Sequence, residues 1–355
     1  MGRDIGTDDP RVRVRAAKSS RPRTKNRPDW SMKPLGRVVA IDRGRYGVVL
    51  DDGTRLQAVR ARELGRGSVI MGDRVRLTGD LSGRVDTLGR IVAVDERVST
   101  LRRSLEDAPD QRGEKAIVAN CDIMVIVTAL ADPPPRTGMI DRCLVAAYEA
   151  KMQPLLCLTK ADLGDPQPLH DAYADFNLPI VVTSLGADHQ GAQTGIEQVQ
   201  NVLQGHFSVL VGHSGVGKST LINALVPHAD RAVGHVNEVT GRGRHTSTSS
   251  EAFELPQGGW IVDTPGVRSF GLGHVDVDDV LGVFPEVADA TSWCLPLCTH
   301  RADEVSCALD LWRHGQAPFE AIDEAEQGLR AHRVASVRRL LDAVALADAT
   351  SKAAR

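Results

Sequence analysis

Eight consecutive residues, Gly212-His213-Ser214-Gly215-Val216-Gly217-Lys218-Ser219, have the spacing of a phosphate-binding loop. They follow an apolar run, Phe207 to Val211, and open a stretch with helical periodicity, Lys218 to Leu225. Glycines at these positions let backbone N–H groups close around phosphate oxygens at a helix N-terminus. Lys218 is expected to reach the β- and γ-phosphates and Ser219 to ligate magnesium, with Thr220 beside them on the first helical turn. Downstream, Asp263-Thr264-Pro265-Gly266 closes another apolar run; Asp263 can hold magnesium through water, and the Gly266 N–H can sense the γ-phosphate.

A phosphate cradle does not choose a base. Upstream of it, Thr159-Lys160-Ala161-Asp162 ends the run Leu155 to Thr159, in the position of an Asn-Lys-x-Asp motif. The Asp162 carboxylate can accept from guanine N1 and N2 together, a pairing adenine does not offer, while the Lys160 stem lies along the base. A Lys-x-Asp alone is a weak signal, since Asp162 could equally cap a helix. Beside the loop and Asp-x-Pro-Gly it argues for GTP over ATP. Thr159 stands where the motif has Asn, which predicts a weaker contact to base or loop. Thr183-Ser184-Leu185, at the end of the next apolar run, would present backbone to guanine O6.

The order is unusual, because the base-reading motifs precede the phosphate loop rather than follow it. A circular permutation produces this order, and is possible where the termini of a compact domain lie close together. Between loop and Asp-x-Pro-Gly lies Gly241-Arg242-Gly243-Arg244-His245-Thr246-Ser247-Thr248, a Gly-rich basic stretch suited to a mobile switch. Thr246 or Thr248 would complete the magnesium shell. Val267 follows Asp-x-Pro-Gly where small GTPases place a water-orienting Gln, so another group must orient the water.

A third constellation is Cys294-x3-Cys298-x-His300-x6-Cys307. Three thiols and one imidazole within fourteen residues supply a closed tetrahedral shell for one structural Zn²⁺. The other cysteines, Cys121, Cys143 and Cys157, lie among apolar residues and read as buried hydrophobes.

These groups need elements to hold them. Short apolar runs at 123–128, 155–159, 180–183, 207–211 and 260–263 alternate with helical stretches at 139–151, 196–204 and 218–225, predicting a largely parallel sheet covered on both faces. Before them, β-branched runs at 36–50, 55–59, 74–77 and 90–94, separated by Asp-Asp-Gly, Met-Gly-Asp and Leu-Ser-Gly turns, predict a small antiparallel barrel of OB or SH3-like type. The chain therefore divides into a disordered basic arm (1–32), an OB-type barrel (33–99), a permuted α/β domain (100–275) and a zinc-binding helical domain (276–355). In the last, a long helix from 318 to about 347 carries Arg330, His332, Arg333, Arg338 and Arg339, which form either a basic stripe for RNA or solvated charges behind a packing face.

Residues 1–110 carry 24 Lys/Arg against 16 Asp/Glu, and the rest carry 19 against 30. A basic front on an acidic body predicts contact with a polyanion through arm and barrel. Few aromatics are at hand there, only Tyr46 in the barrel and Trp30 beside it, so phosphate contacts should outweigh stacking. No apolar run approaches the length of about 20 residues a membrane helix needs, and the polar N-terminus lacks a secretory core, so a cytoplasmic protein without a membrane partner is expected.

These motifs together, with Arg102-Arg103-Ser104 and Ala119-Asn120-Cys121-Asp122, resemble the circularly permuted ribosome small-subunit-dependent GTPase A family (RsgA, also called YjeQ), over nearly the whole chain. The resemblance implies late maturation of the small ribosomal subunit, binding to its rRNA, and hydrolysis of GTP to GDP stimulated by that subunit. It also points to His245 as the group that positions the attacking water. A monomer is expected.

Overall fold

The computed structural model describes residues 29–65, 67–104, 114–176, 178–184, 191–226, 250–263, 275 and 277–353. Nearly all of the basic arm, Leu185, the stretch holding His245, Thr246 and Thr248, and Gly266 with Val267 lie outside these residues.

Five strands form the barrel: β1 (Leu35–Asp42), β2 (Arg45–Leu50), β3 (Arg55–Arg60), β4 (Arg74–Gly79) and β5 (Gly89–Val94). Their order is β1-β2-β3-β5-β4, and a β1–β4 pairing closes the ring, with β3 and β5 parallel. This closed Greek-key arrangement is of OB type. The run at 36–50 is not one strand. Asp42 pairs with Arg45 across a two-residue turn in which Arg43 and Gly44 both have positive φ, 44° and 86°, the geometry that suits the twist of a hairpin. Val38, Val48, Leu56, Val75, Leu77 and Ile91 fill the interior.

A hairpin of β6 (Thr100–Ser104) and β7 (Glu114–Ala119) leads into the α/β domain. There β8 (Ile123–Ala129), β9 (Gln153–Thr159), β10 (Ile180–Val182), β11 (Phe207–Val211), β12 (Ser250–Glu254) and β13 (Trp260–Asp263) lie in the order β10-β9-β8-β11-β13-β12. Only the β12–β13 pairing in this series is antiparallel. Side chains alternate along β8. Ile123, Val125 and Val127 meet a core that includes Leu221 and Ile222 of α4 (Lys218–Leu225) and Val199 of α3 (Gly191–Leu203). Met124 and Ile126 meet the core on the opposite face, which includes Ile140 and Leu144 of α1 (Thr137–Glu149). Both faces of β8 are apolar, so the strand is a continuous hydrophobic run, as expected under helices on two sides. A further short helix, α2 (Gln167–Tyr173), follows β9.

The sheet does not end at β12. Ile41 and Ala40 of β1 pair antiparallel with Ser250 and Glu251, so barrel and α/β domain share one eleven-stranded sheet among the described residues. Asn120, at φ 55°, fastens the same junction: its Oδ1 accepts from Val98 N–H at 2.9 Å and its Nδ2 donates to Gly72 O at 3.1 Å.

The C-terminal segment holds α5 (Val277–Leu281), α6 (Pro285–Thr291), α7 (Ala308–Arg313) and α8 (Glu324–Ala353). Val334, Val337, Leu340 and Leu341 of α8 and Phe284 and Val287 near α6 belong to the same core as α1, so this segment packs as a third layer outside that helix. The basic stripe is largely committed to internal partners. Arg330 pairs with Glu326, Arg333 with Glu286, Arg338 with Asp310 and Arg339 with Asp141. Val334, Val337 and Leu340 of α8 are buried, and its arginines are neither a free stripe nor merely solvated but held in ion pairs. No helix among the described residues is long and apolar enough to cross a membrane.

Candidate nucleotide and metal sites

The loop Gly212–Ser219 leaves β11 at the centre of the sheet, between β8 and β13, and enters α4. A Cβ at Gly212 would lie 2.4 Å from Val127 O of β8, so only glycine lets the loop start so close to the neighbouring strand. Gly217, at φ 95°, turns the chain into the helix. Lys218 Nζ donates to the carbonyls of Gly212 and His213, at 2.7 Å each, which folds the side chain back over the loop. Burial lowers the pKa of Lys218, against the opposing pull of the Asp263 carboxylate. Asp263 pairs with Leu210 of β11, so the end of β13 lies beside the start of the loop. His213 is likewise lowered, first by burial and then by Arg136 and Lys218. Ser219 and Thr220 occupy the first turn of α4, with Ser214, Gly215 and Val216 in the turn before it.

The base-reading residues approach from β9 and β10. Thr159 is 3% exposed at the end of β9, and its hydroxyl donates to Val216 O at 2.6 Å. Thr159, which stands where the motif has Asn, therefore makes a direct contact to the phosphate loop. Lys160 follows with φ 56° and donates from Nζ to the Asp132 carbonyl. Ala161 N–H donates to Thr183 O at 3.2 Å, which ties this loop to the end of β10. Ser184 Oγ donates to Asp162 Oδ1 at 2.9 Å. The serine expected to offer backbone to a base also uses its side chain to fix the carboxylate. Asp132 and Pro133 carry no motif in the sequence. They reach the site because Leu130 N–H bonds Thr159 O at 2.9 Å and Pro133 Cδ stands 3.7 Å from a Cβ placed on Gly215.

Ser219 and Asp263 offer only oxygen, a hydroxyl and a carboxylate, and such hard donors suit Mg²⁺. Their fit to that ion is chemical; Thr246 and Thr248 lie outside the described residues.

The thiols and imidazole of Cys294, Cys298, His300 and Cys307 come together, with all four ligand atoms within 4.8 Å of one another. Cys294 Sγ lies 3.4 Å from His300 Nδ1 and 4.0 Å from Cys307 Sγ, and Cys307 Sγ lies 3.9 Å from His300 Nδ1. A tetrahedral zinc with bonds of about 2.3 Å to sulfur and 2.0 Å to nitrogen has edges of about 3.5–3.8 Å, so the cluster can hold a metal ion. Two features set the spacing. His300 adopts φ 57°, turning the chain sharply after Cys298, and Cys307 sits at the N-terminus of α7, where Ala308 N–H donates to Cys294 Sγ at 3.3 Å. Burial of the other three thiols raises their pKa values, that of Cys157 to about 12, which leaves them protonated and inert.

Comparison with known proteins places the chain among relatives of known family. A profile of the RsgA GTPase family matches residues 94–273. A protein of Pseudomonas syringae pv. tomato named small ribosomal subunit biogenesis GTPase RsgA is 43% identical over 250 residues, covering 68% of each chain. A relative of the same name from Pseudomonas putida F1 is 38% identical over 291 residues, 79% of this chain and 80% of its own. The crystal structure of YjeQ from Thermotoga maritima superposes with a TM-score of 0.59 at 25% identity, covering 86% of this chain and 98% of that one. YloQ, described as a circularly permuted GTPase, gives 0.56 at 21% identity over 86% and 95%, a likeness of fold. With a profile match across half its length and a relative this similar over two thirds of it, the chain belongs to the RsgA GTPase family.

Proposed function

We propose that this chain hydrolyses GTP to GDP and phosphate as a late maturation factor of the small ribosomal subunit, and that the subunit stimulates the reaction. The observation that carries the nucleotide assignment is the Asp162 carboxylate, held by Ser184 in a loop that Thr159 bonds to the phosphate loop. A carboxylate so fixed accepts two hydrogen bonds from guanine and would meet only a C–H and a lone pair on adenine. The relatives' shared name supports the subunit as partner.

In this reading the N–H groups of Gly212 to Ser219 and the Lys218 ammonium neutralise the phosphates, Asp162 and Lys160 orient the base, and Ser184 and Leu185 close over it. Ser219, Asp263 and Thr246 or Thr248 hold Mg²⁺, which supplies charge stabilisation for the transferred phosphoryl group. The Gly266 N–H follows the γ-phosphate. His245 positions the water, because the valine at 267 has no hydrogen-bonding group. Cys294, Cys298, His300 and Cys307 hold one Zn²⁺ that contributes folding energy to a segment with little core of its own. The exposed arginines Arg43, Arg45, Arg62 and Arg84 of the barrel meet rRNA phosphate, and the protein acts as a cytoplasmic monomer.

The test is GTP hydrolysis with and without purified small subunits, beside competition of GTP and ATP for binding. Stimulation by the subunit with guanine preference is expected. Equal affinity for ATP would overturn the base assignment, and a rate indifferent to subunits would overturn the partner.

A further inference from the structure

The arginines of α8 differ in where they reach. Arg330, Arg333 and Arg338 bond to Glu326, Glu286 and Asp310, all within the C-terminal segment. Arg339 leaves it. Its Nε lies 3.1 Å from Oδ1 and 3.0 Å from Oδ2 of Asp141 on α1, and a terminal nitrogen donates to Ala172 O at 3.2 Å. The guanidinium also lies 5.0 Å from the Tyr173 ring centroid and 5.5 Å from that of Phe176. Asp141 is 2% exposed, and the Tyr173 hydroxyl, 2.9 Å from its Oδ1, donates to the same carboxylate.

A carboxylate buried to this extent is tolerable only while its cation and donor stay in place. A shift of α8 must therefore carry α1 with it or leave the charge unpaired. The N-terminus of α1 is at Thr137, whose carbonyl lies 3.2 Å from the Tyr173 hydroxyl, and immediately before it runs the loop 130–136. That loop is bonded to the base-reading strand end twice, Asp132 O accepting from Lys160 Nζ and Leu130 N–H donating to Thr159 O, and a Cβ placed on Gly215 of the phosphate loop would lie 3.7 Å from Pro133 Cδ. A continuous run of bonded groups thus leads from the C-terminal helix to the base-reading lysine and the phosphate loop.

We propose that Arg339 is a positioning residue for the nucleotide site: through Asp141 and α1 it sets the 130–136 loop, so that the seating of the C-terminal helix is felt as nucleotide affinity. The proposal rests on the nucleotide assignment above. Arg339 touches no nucleotide itself. Its planar fork and stacked face are what lysine cannot reproduce.

The experiment uses full-length, zinc-loaded protein and GDP and GTP as probes. Arg339→Lys is expected to weaken GDP binding about fivefold and to raise KM for GTP more than it lowers kcat, the loss of about one such contact. Arg333→Lys, which loosens the Glu286 pair confined to the C-terminal segment, is expected to stay within about twofold of wild type in GDP affinity. Asp141→Asn should reproduce the effect of Arg339→Lys, and combining the two should weaken binding no further, since both break one link. Should Arg339→Lys not fold, Asp141→Asn reads the same link. The proposal is overturned if Arg339→Lys, or Asp141→Asn in its place, binds GDP like wild type, or if Arg333→Lys weakens binding equally, which would reduce the contact to general stability. Wild-type protein that binds no GDP would overturn the nucleotide assignment and the proposal with it, an outcome distinct from a variant that matches a binding wild type.

Discussion

Replacing Thr159 by valine removes one hydroxyl and almost nothing else, which makes it a sharp probe of how the base-reading strand supports the phosphate loop. The hydroxyl donates to Val216 O at 2.6 Å, at a residue 3% exposed. Water has little access to replace it. An ordinary hydrogen bond contributes about 1 kcal/mol net, and a buried acceptor left without its donor costs about 1–3 kcal/mol. Taking about 1–2 kcal/mol as the loss to the loop's ordered form, nucleotide affinity should fall between about fivefold and about thirtyfold. Because the bond lies within the loop rather than at the base, GTP and GDP should weaken alike and guanine preference should persist. Titration of Thr159→Val with fluorescent GDP, beside thermal melting, reads both effects. Thr159→Asn, whose amide can donate to the same carbonyl, should restore most of the affinity. Wild-type affinity in the valine variant would refute the reasoning, because it would mean that Val216 O is satisfied without the hydroxyl.

Four further outcomes follow from other parts of the molecule. Asp162→Asn should keep the Ser184 contact yet lose charge-assisted bonds to guanine, lowering GTP affinity by about a hundredfold with little change in melting temperature, as binding and melting assays would show. Iodoacetamide at pH 8 should leave Cys157 unlabelled in the folded protein, because burial holds its pKa near about 12 and the thiolate is scarce until pH approaches that value. A strong zinc chelator should expose Cys294, Cys298 and Cys307 to the same reagent and lower the melting temperature, as mass spectrometry and melting would report. Arg45→Glu and Arg62→Glu on the barrel should each weaken binding to small-subunit RNA, and each should reduce the salt slope of that binding by about one.

Residues whose chemistry requires a fixed spacing were legible in the sequence. The phosphate loop was framed by its strand and helix, and the four candidate metal ligands, three Cys and one His, fell within fourteen residues. Strands with apolar side chains on both faces were visible as uninterrupted runs. What escaped were features defined by a distant partner. Ser250–Glu254 is short and polar, and becomes a strand because β1 and β13 supply its hydrogen bonds. The turn at Arg43-Gly44 lay inside an otherwise unbroken β-branched run, marked only by its glycine. Asp141 looked like any acidic residue in a helix, and its cation lies 198 residues further on. Ser184 was read for its backbone, whereas its hydroxyl acts on a carboxylate 22 residues earlier. Periodicity reports which face is buried but not which polar groups meet there.

The pairing of β1 with β12 bears on how this protein can be dissected. β12 is the last strand of the α/β domain, and on its outer side Ile41 and Ala40 of the barrel complete its main-chain bonding. Cutting the barrel away would uncover a row of unpaired N–H and C=O groups beside the strand that follows the Gly-rich basic stretch. Such an exposed margin is a template for other chains, so a truncated GTPase domain should associate with itself or recruit foreign strands. Loss of activity in that fragment would then reflect a raw sheet border as much as a missing RNA-binding module.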